Sequence, residues 1–267
     1  KVMSKSAGFD AISFLQANWK IFDALTWTGQ LNYKYGASVN DAYNPKVYTE
    51  DGTFNNGHAY IGNWMGQTII PETYLTFDKF CGKHHINIIG GYSYDYDMSR
   101  SSALNAYDFV NESLQNENMG AGNPEKNAIG NGYSESKLMS LYGKVNYSYD
   151  DRYLITGTFR RDGSSKFGSN TKWANFPSAA FAWKLHNEEF MKEVSAVNEA
   201  KVRVSYGLSG NQGISPYQTL SRYGTEKYYD NGAWNTCIGP GYIDGYYGSN
   251  YRFKYWGGIP NKDLKWE

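Results

Sequence analysis

The stretch from Leu138 to Phe159, "LMSLYGKVNYSYDDRYLITGTF", alternates between two kinds of residue through two runs parted by Asp150 and Asp151. Met139, Leu141, Gly143, Val145, Tyr147 and Tyr149 are apolar or small, against Ser140, Lys144, Asn146 and Ser148; then Tyr153, Ile155, Gly157 and Phe159 oppose Thr156, Thr158 and Arg160. Successive side chains of a strand point to opposite faces, so a period of two held for about ten residues per run demands a hairpin with one apolar and one polar face. A helix would scatter the same residues around its surface.

The pattern recurs along the chain. Leu25, Trp27, Leu31, Tyr33 and Tyr35 stand against Thr26, Thr28, Gln30, Asn32 and Lys34. Ile86, Ile88, Tyr92, Tyr94 and Tyr96 stand against Asn87, Ser93, Asp95 and Asp97. Val202, Val204, Tyr206 and Leu208 stand against Lys201, Arg203, Ser205 and Ser209. Phe9 to Lys20, Thr73 to Phe80 and Lys172 to Leu185 read as less regular strands, because Ile12, Phe14 and Phe176 interrupt the polar side. About eight strands of about ten residues are expected, longer than the usual five to six of a soluble sheet. Their connections alternate. Ile21 to Asp23, Cys81 to His84 and Asp150-Asp151 are tight turns, and Asn187 to Glu199 is a longer link with room for a helical turn. Ala37 to Gly66, Ser99 to Lys137, Gly163 to Thr171 and Gly210 to about Lys262 are expected to be long loops.

Strands of about ten residues, aromatic residues at strand ends, and short turns facing long loops together describe a transmembrane β-barrel. In that arrangement Met139, Leu141, Val145, Tyr147, Tyr153, Ile155 and Phe159 face lipid, while Lys144, Asn146, Thr156, Thr158 and Arg160 face a wet lumen. Charges on the lipid side, Lys79 and Arg161, fall at strand ends, where their cost is small. A soluble or surface-attached β-sandwich that binds glycans is the competing architecture, with the apolar face buried in a core. About eight strands can close a small barrel or supply part of one with about 22. The start at Lys1 and the closing "DLKWE", which resembles the opening of a further strand, favour the part.

Composition narrows the function. Lys plus Arg equals Asp plus Glu at 26 each, so no global field recruits nucleic acid. The longest apolar runs are far short of a membrane helix. Only Cys81 and Cys237 are present, too few for a disulfide framework or a zinc site; the topology puts them at opposite ends of the strands, unbonded to each other.

Four stretches, "GTFRRDGSSKFG" (Gly157 to Gly168), "KWANFPSAAFAWKL" with "NEEFMKE" (Lys172 to Glu193), "KVRVSYGLSGNQGISPY" (Lys201 to Tyr217) and "NKDLKWE" (Asn261 to Glu267), resemble the SusC/RagA family of TonB-dependent outer-membrane transporters of Bacteroidetes. The resemblance is strong over Leu138 to Glu267 and loose before it. Ala174 and Ala182 stand where the family favours Gly, and Lys262 where Pro is common. It implies that residues 1–267 form part of a multi-pass barrel in the outer membrane, the signal peptide, TonB box and plug lying outside this stretch. It also implies a SusD-like lipoprotein lid, TonB–ExbB–ExbD as energy source, and an oligosaccharide or peptide cargo.

No stretch marks catalysis, a cofactor or a metal. "GLSGNQG" has glycines but no following helix to hold a phosphate. His84 and His85 are adjacent in a tight turn, and since strand neighbours point apart, one metal would not take both. The carboxylates of "NEEF" and "RRDG" read as solvated turn residues with no defined acid–base pair, and Ser in "DGSSKF" lacks a nucleophile elbow. Binding is expected in the aromatic-rich outer loops, with Tyr228, Tyr229, Trp234, Tyr242, Tyr246 and Tyr247 as candidates for cargo or lid contact.

Overall fold

The computed structural model describes residues 2–48, 54–191, 193, 197–221, 223–230, 232–240, 244–247, 251–254 and 260–267. Its strands are β1 (Met3–Phe22), β2 (Leu25–Asn44), β3 (Val47–Tyr48), β4 (Phe54–Asn55), β5 (His58–Cys81), β6 (His84–Tyr107), β7 (Ala128–Tyr149), β8 (Tyr153–Ser164), β9 (Trp173–Lys184) and β10 (Lys201–Gly207). Four more, β11 (Tyr223–Asp230), β12 (Ala233–Pro240), β13 (Asp244–Tyr247) and β14 (Tyr251–Lys254), follow in the stretch expected to be loop.

Eight strands form one sheet in the order β1-β2-β5-β6-β7-β8-β9-β10, a meander that leaves β1 and β10 as open edges. The expected number of strands and the tight turns are therefore present. Strand length is corrected: β1, β2, β5, β6 and β7 run for 20, 20, 24, 24 and 22 residues, about twice the expectation. Much of Ala37 to Gly66 and Ser99 to Lys137 is strand, with backbone pairing continuing after the apolar alternation stops. The long segment after Gly210 is corrected likewise, for it contains the antiparallel hairpins β11–β12 and β13–β14.

The chain divides into two compact units. One comprises Lys1–Gln16, Gln30–Pro71 and Asp95–Glu135. Here Tyr43, Ala59, Ala106 and Phe109 pack a small core, with Tyr43 and Phe109 edge-on at 5.5 Å. Gly57 at φ +85° makes the bend before β5, a conformation open to glycine.

The other unit comprises Ala17–Gly29, Glu72–Tyr94 and Ser136–Glu267. Its antiparallel register aligns the apolar positions: Val145 opposes Gly157, Tyr147 opposes Ile155, and on the next strand Ile155 opposes Phe181 and Tyr153 opposes Trp183. β10 continues the face with Val204 opposite Phe181 and Val202 opposite Trp183. No second sheet covers this surface among the described residues: Val145 is 46% exposed, Ile155 and Phe159 are 51% exposed. A sandwich would bury such a face against a partner sheet about 10 Å away. Asp150 and Asp151 turn the β7–β8 hairpin at φ 51° and 50°, a region Asp enters more readily than most residues.

Candidate functional site

The polar face of the second unit is a connected surface. Tyr142, Lys144 and Asn146 of β7 oppose Arg160, Thr158 and Thr156 of β8, so all five residues expected to line a lumen lie on the face opposite Val145, Ile155 and Phe159. Thr156 Oγ1 donates to Asn146 Oδ1 at 3.0 Å, Asn146 Nδ2 to Asn87 Oδ1 at 3.2 Å, and Asn87 Nδ2 to Asp78 Oδ2 at 2.7 Å. Thr158 bonds Ser178 of β9. Arg160 Nε donates to both oxygens of Asp162 at 2.8 Å and its Nη2 to Ser140 Oγ at 2.8 Å. Tyr142 donates to Glu72 Oε1 at 2.6 Å. Each strand is thus stitched to its neighbour by side chains, while the Lys144 side chain stands exposed.

In the first unit the alternate face carries polar groups as well. Tyr96 and Tyr133 both donate to Glu135 Oε2, at 3.3 and 2.9 Å, and the Arg100 guanidinium lies 5.3 Å over the Tyr133 ring. Glu112, in the loop after β6, accepts from the Lys46 backbone N–H at 2.7 Å and the Tyr43 hydroxyl at 2.8 Å. Those hydrogen bonds, the Lys46 N–H first, outweigh partial burial and hold its carboxyl below the usual range.

The aromatic loop candidates divide. Tyr228, Tyr229 and Trp234 belong to the β11–β12 hairpin, where Tyr229 pairs with Trp234 and Tyr228 with Asn235. Tyr246 and Tyr247 belong to β13, paired with Arg252 and Tyr251. Tyr242 lies outside the described residues.

Two clusters were not evident from sequence. At the tight-turn end Glu188 is only 8% exposed, correcting the expectation of a solvated carboxylate. It accepts from Trp183 Nε1 at 2.9 Å, Tyr153 Oη at 2.8 Å and Arg152 Nη1 at 3.1 Å. These donors, Trp183 and Tyr153 foremost, pull its pKa down against desolvation. The link around it is helical, with 3-10 turns at Leu185–Asn187 and Glu189–Met191. His84 bonds Tyr147 Oη at 2.7 Å, and His85 reaches the Asp78 carboxylate at 3.2 Å. Cys81 is a free thiol, exposed beside the β5–β6 turn, so it is not bonded to Cys237, whose side chain lies outside the described residues.

At the long-loop end "DLKWE" is not a strand, another correction. Leu264 O accepts from Gly168 N at 3.0 Å and Thr171 Oγ1 at 2.6 Å, so backbone groups that would pair with a further strand are used by the β8–β9 loop. Trp266 donates Nε1 to Lys172 O at 3.0 Å and packs 4.8 Å from Phe167 and 5.4 Å from Phe176. Gln212 of "GNQG" accepts from buried Ser164 at 2.9 Å. The motif stretches gather here into one clasp.

The sequence profile described as "TonB dependent receptor-like, beta-barrel" matches residues 5–267. The chain belongs to the TonB-dependent receptor β-barrel family. Among relatives, TonB-dependent receptor P3 of Formosa agariphila is 40% identical over 156 residues, covering 58% of this chain and 15% of that protein. TonB-dependent receptor P39 of the same organism is 30% identical over 226 residues, covering 84% and 21%. TonB-dependent receptor SusC of Bacteroides thetaiotaomicron is 42% identical over 81 residues, covering 30% and 8%. The chain thus spans about a fifth or less of the receptors it resembles. A structure described as the RagAB peptide importer in the closed-closed state superposes with a TM-score of 0.80 at 19% identity, over 99% of this chain and 27% of that one. The TonB-dependent receptor barrel accounts for the open edges of β1 and β10 and for the bare apolar face.

Proposed function

We propose that this chain is wall and outer loops of a TonB-dependent outer-membrane importer of oligosaccharides or peptides. The observation that carries the reading is the single-layer sheet whose apolar face stands uncovered between a row of aromatic residues at one end and a tryptophan at the other. Tyr149, Tyr153 and Trp183 form the row, and Trp173, opposite Gly163, marks the far level. Ten residues of β8 separate them. At about 3.3 Å per residue and a tilt of 35–45°, that is about 25 Å along the membrane normal. The apolar band of an outer-membrane barrel has this height.

On this reading the tight turns face the periplasm and the long loops the exterior. Lys144, Asn146, Thr156, Thr158 and Arg160 line the lumen, and the β11–β14 hairpins meet cargo or lid. A SusD-like lipoprotein covers the opening, and TonB–ExbB–ExbD acts through the plug and TonB box of the remaining protein. The chain is a transport wall rather than an enzyme. The name of the SusC relative supports the family role, and the peptide importer among the structural neighbours keeps peptide beside oligosaccharide as cargo.

The test is purification of the full-length protein from detergent-solubilised envelopes, with mass spectrometry of what accompanies it. A co-purifying lipoprotein and a bound glycan or peptide are expected. Recovery alone in the aqueous phase without detergent refutes the importer and favours a soluble binding module.

A further inference from the structure

Arg161 stands on the apolar face of β8, in register with Leu141 of β7 and Asn175 of β9. Its neighbour Arg160, on the polar face, is held by Asp162, yet among the described residues no carboxylate lies within ion-pair distance of Arg161. Instead its guanidinium lies 5.4 Å from the Trp173 ring centroid. That ring is laid over Gly163, where an added Cβ would come 2.7 Å from the indole, and it remains 44% exposed. A glycine therefore makes room for a tryptophan that carries an arginine, two residues from the level of Trp173.

A cation on a lipid-facing strand is tolerated where its stem can lie along apolar surface and its head can reach the interface. Arg161 is placed to do this: Leu141 is its register partner, Phe159 precedes it by two on the same face, and its guanidinium lies by Trp173, the residue opposite Gly163 toward the strand end. Its planar fork remains available, and such forks bind phosphate oxygens in pairs at short distance. We propose that this outer rim of β8 and β9 holds the phosphorylated headgroup of an outer-leaflet lipid, with Arg161 as the phosphate ligand and Trp173 as its platform. The assignment rests on the outer-membrane reading above.

The full-length protein in non-ionic detergent is titrated, by native mass spectrometry, with a phosphorylated diglucosamine lipid and with the same lipid after phosphatase treatment. Wild type is expected to prefer the phosphorylated lipid by about tenfold, the scale of a charge-assisted hydrogen-bond pair. Arg161→Gln erases the preference, and Arg161→Lys falls between. Equal binding of the two lipids by wild type, an unchanged preference in Arg161→Gln, or displacement by an equal concentration of inorganic phosphate overturns the proposal. Heat-modifiable migration on gels, measured on the same samples, separates the two levels. A folded barrel indifferent to lipid phosphate refutes this site alone, whereas protein that never forms a detergent-dependent barrel refutes the importer reading with it.

Discussion

Depth within the bilayer decides what a charge on the apolar face costs, and the β8 register assigns the depths. Phe159 is six residues from the Tyr153 row and four from the Gly163 level. With the rise and tilt used above, it lies about 10–15 Å from either boundary, close to the midplane. An arginine there costs about 2–4 kcal/mol, and loss of the half-exposed ring from lipid adds about 1 kcal/mol. Ile155 lies only about 5 Å inside the inner row, where the arginine itself costs about 0–1 kcal/mol. Thr158 is on the other face, bonded to Ser178, and its replacement forfeits about 1 kcal/mol of hydrogen bonding. The expected order of destabilisation is Phe159→Arg well above Ile155→Arg, with Thr158→Arg no worse than Ile155→Arg. Chemical denaturation of the full-length protein in phospholipid vesicles, followed by heat-modifiable migration, measures it. If Thr158→Arg costs as much as Phe159→Arg, the two faces have been assigned to the wrong solvents.

Other consequences are simpler to read. The folded pKa of Glu188 lies below its unfolded value near 4.3, so its stabilisation is complete above about pH 4.3 and fades as pH falls through the lower folded value. Amide exchange over 185–191, corrected for intrinsic rate, is therefore expected to stay slow down to about pH 4.5 and to quicken below about pH 4; Glu188→Gln removes that acid limb. Cys81, exposed at the β5–β6 turn, should react with a membrane-impermeant maleimide only after the outer membrane is permeabilised. Labelling of intact cells at Cys81 would invert the topology.

The parts of the fold that were legible in sequence are those where the two faces meet different surroundings. From Leu138 to Phe159 apolar and polar residues alternate because one face is left for lipid and the other is hydrogen-bonded in water. Earlier in β7 and later in β6 that contrast ends: Tyr96 and Tyr133 donate to Glu135, and Arg100 lies over the Tyr133 ring. The strand persists through its backbone pairing, but its period disappears, and so half of each long strand reads as loop. Glu188 was hidden for another reason. Its three donors come from the β7–β8 turn and from β8 and β9, and only the folded register brings them to one carboxylate. The polar-face residues were legible one by one, whereas the chain from Thr156 through Asn146 and Asn87 to Asp78 was not, because it crosses strands distant in sequence.

The clasp at the long-loop end bears on what the family motifs encode. "GSSKFG" and "NKDLKWE" meet so closely at Gly168 that an added Cβ would lie 1.9 Å from Lys262 O and 2.2 Å from its carbonyl carbon. Both are backbone atoms, so no rotamer change relieves the clash, and Gly168→Ala must push the closing segment away. That movement breaks the Gly168 N–Leu264 O bond and frees half-buried Trp266 from Phe167 and Phe176, a loss of about 1–3 kcal/mol confined to the loop. Trypsin applied to whole cells should then cut at Lys166, Lys172 or Lys265 several-fold faster in Gly168→Ala, while the membrane-embedded strands stay resistant. Cargo preference should not change, because the clasp spends its polar groups on its own backbone. An unaltered cleavage rate would refute the clasp, and an altered preference would show that it touches cargo. On this reasoning the motifs that make the family recognisable secure the frame, and the proposed importer would leave selectivity to the polar face and the aromatic hairpins, where motif resemblance carries no cargo information.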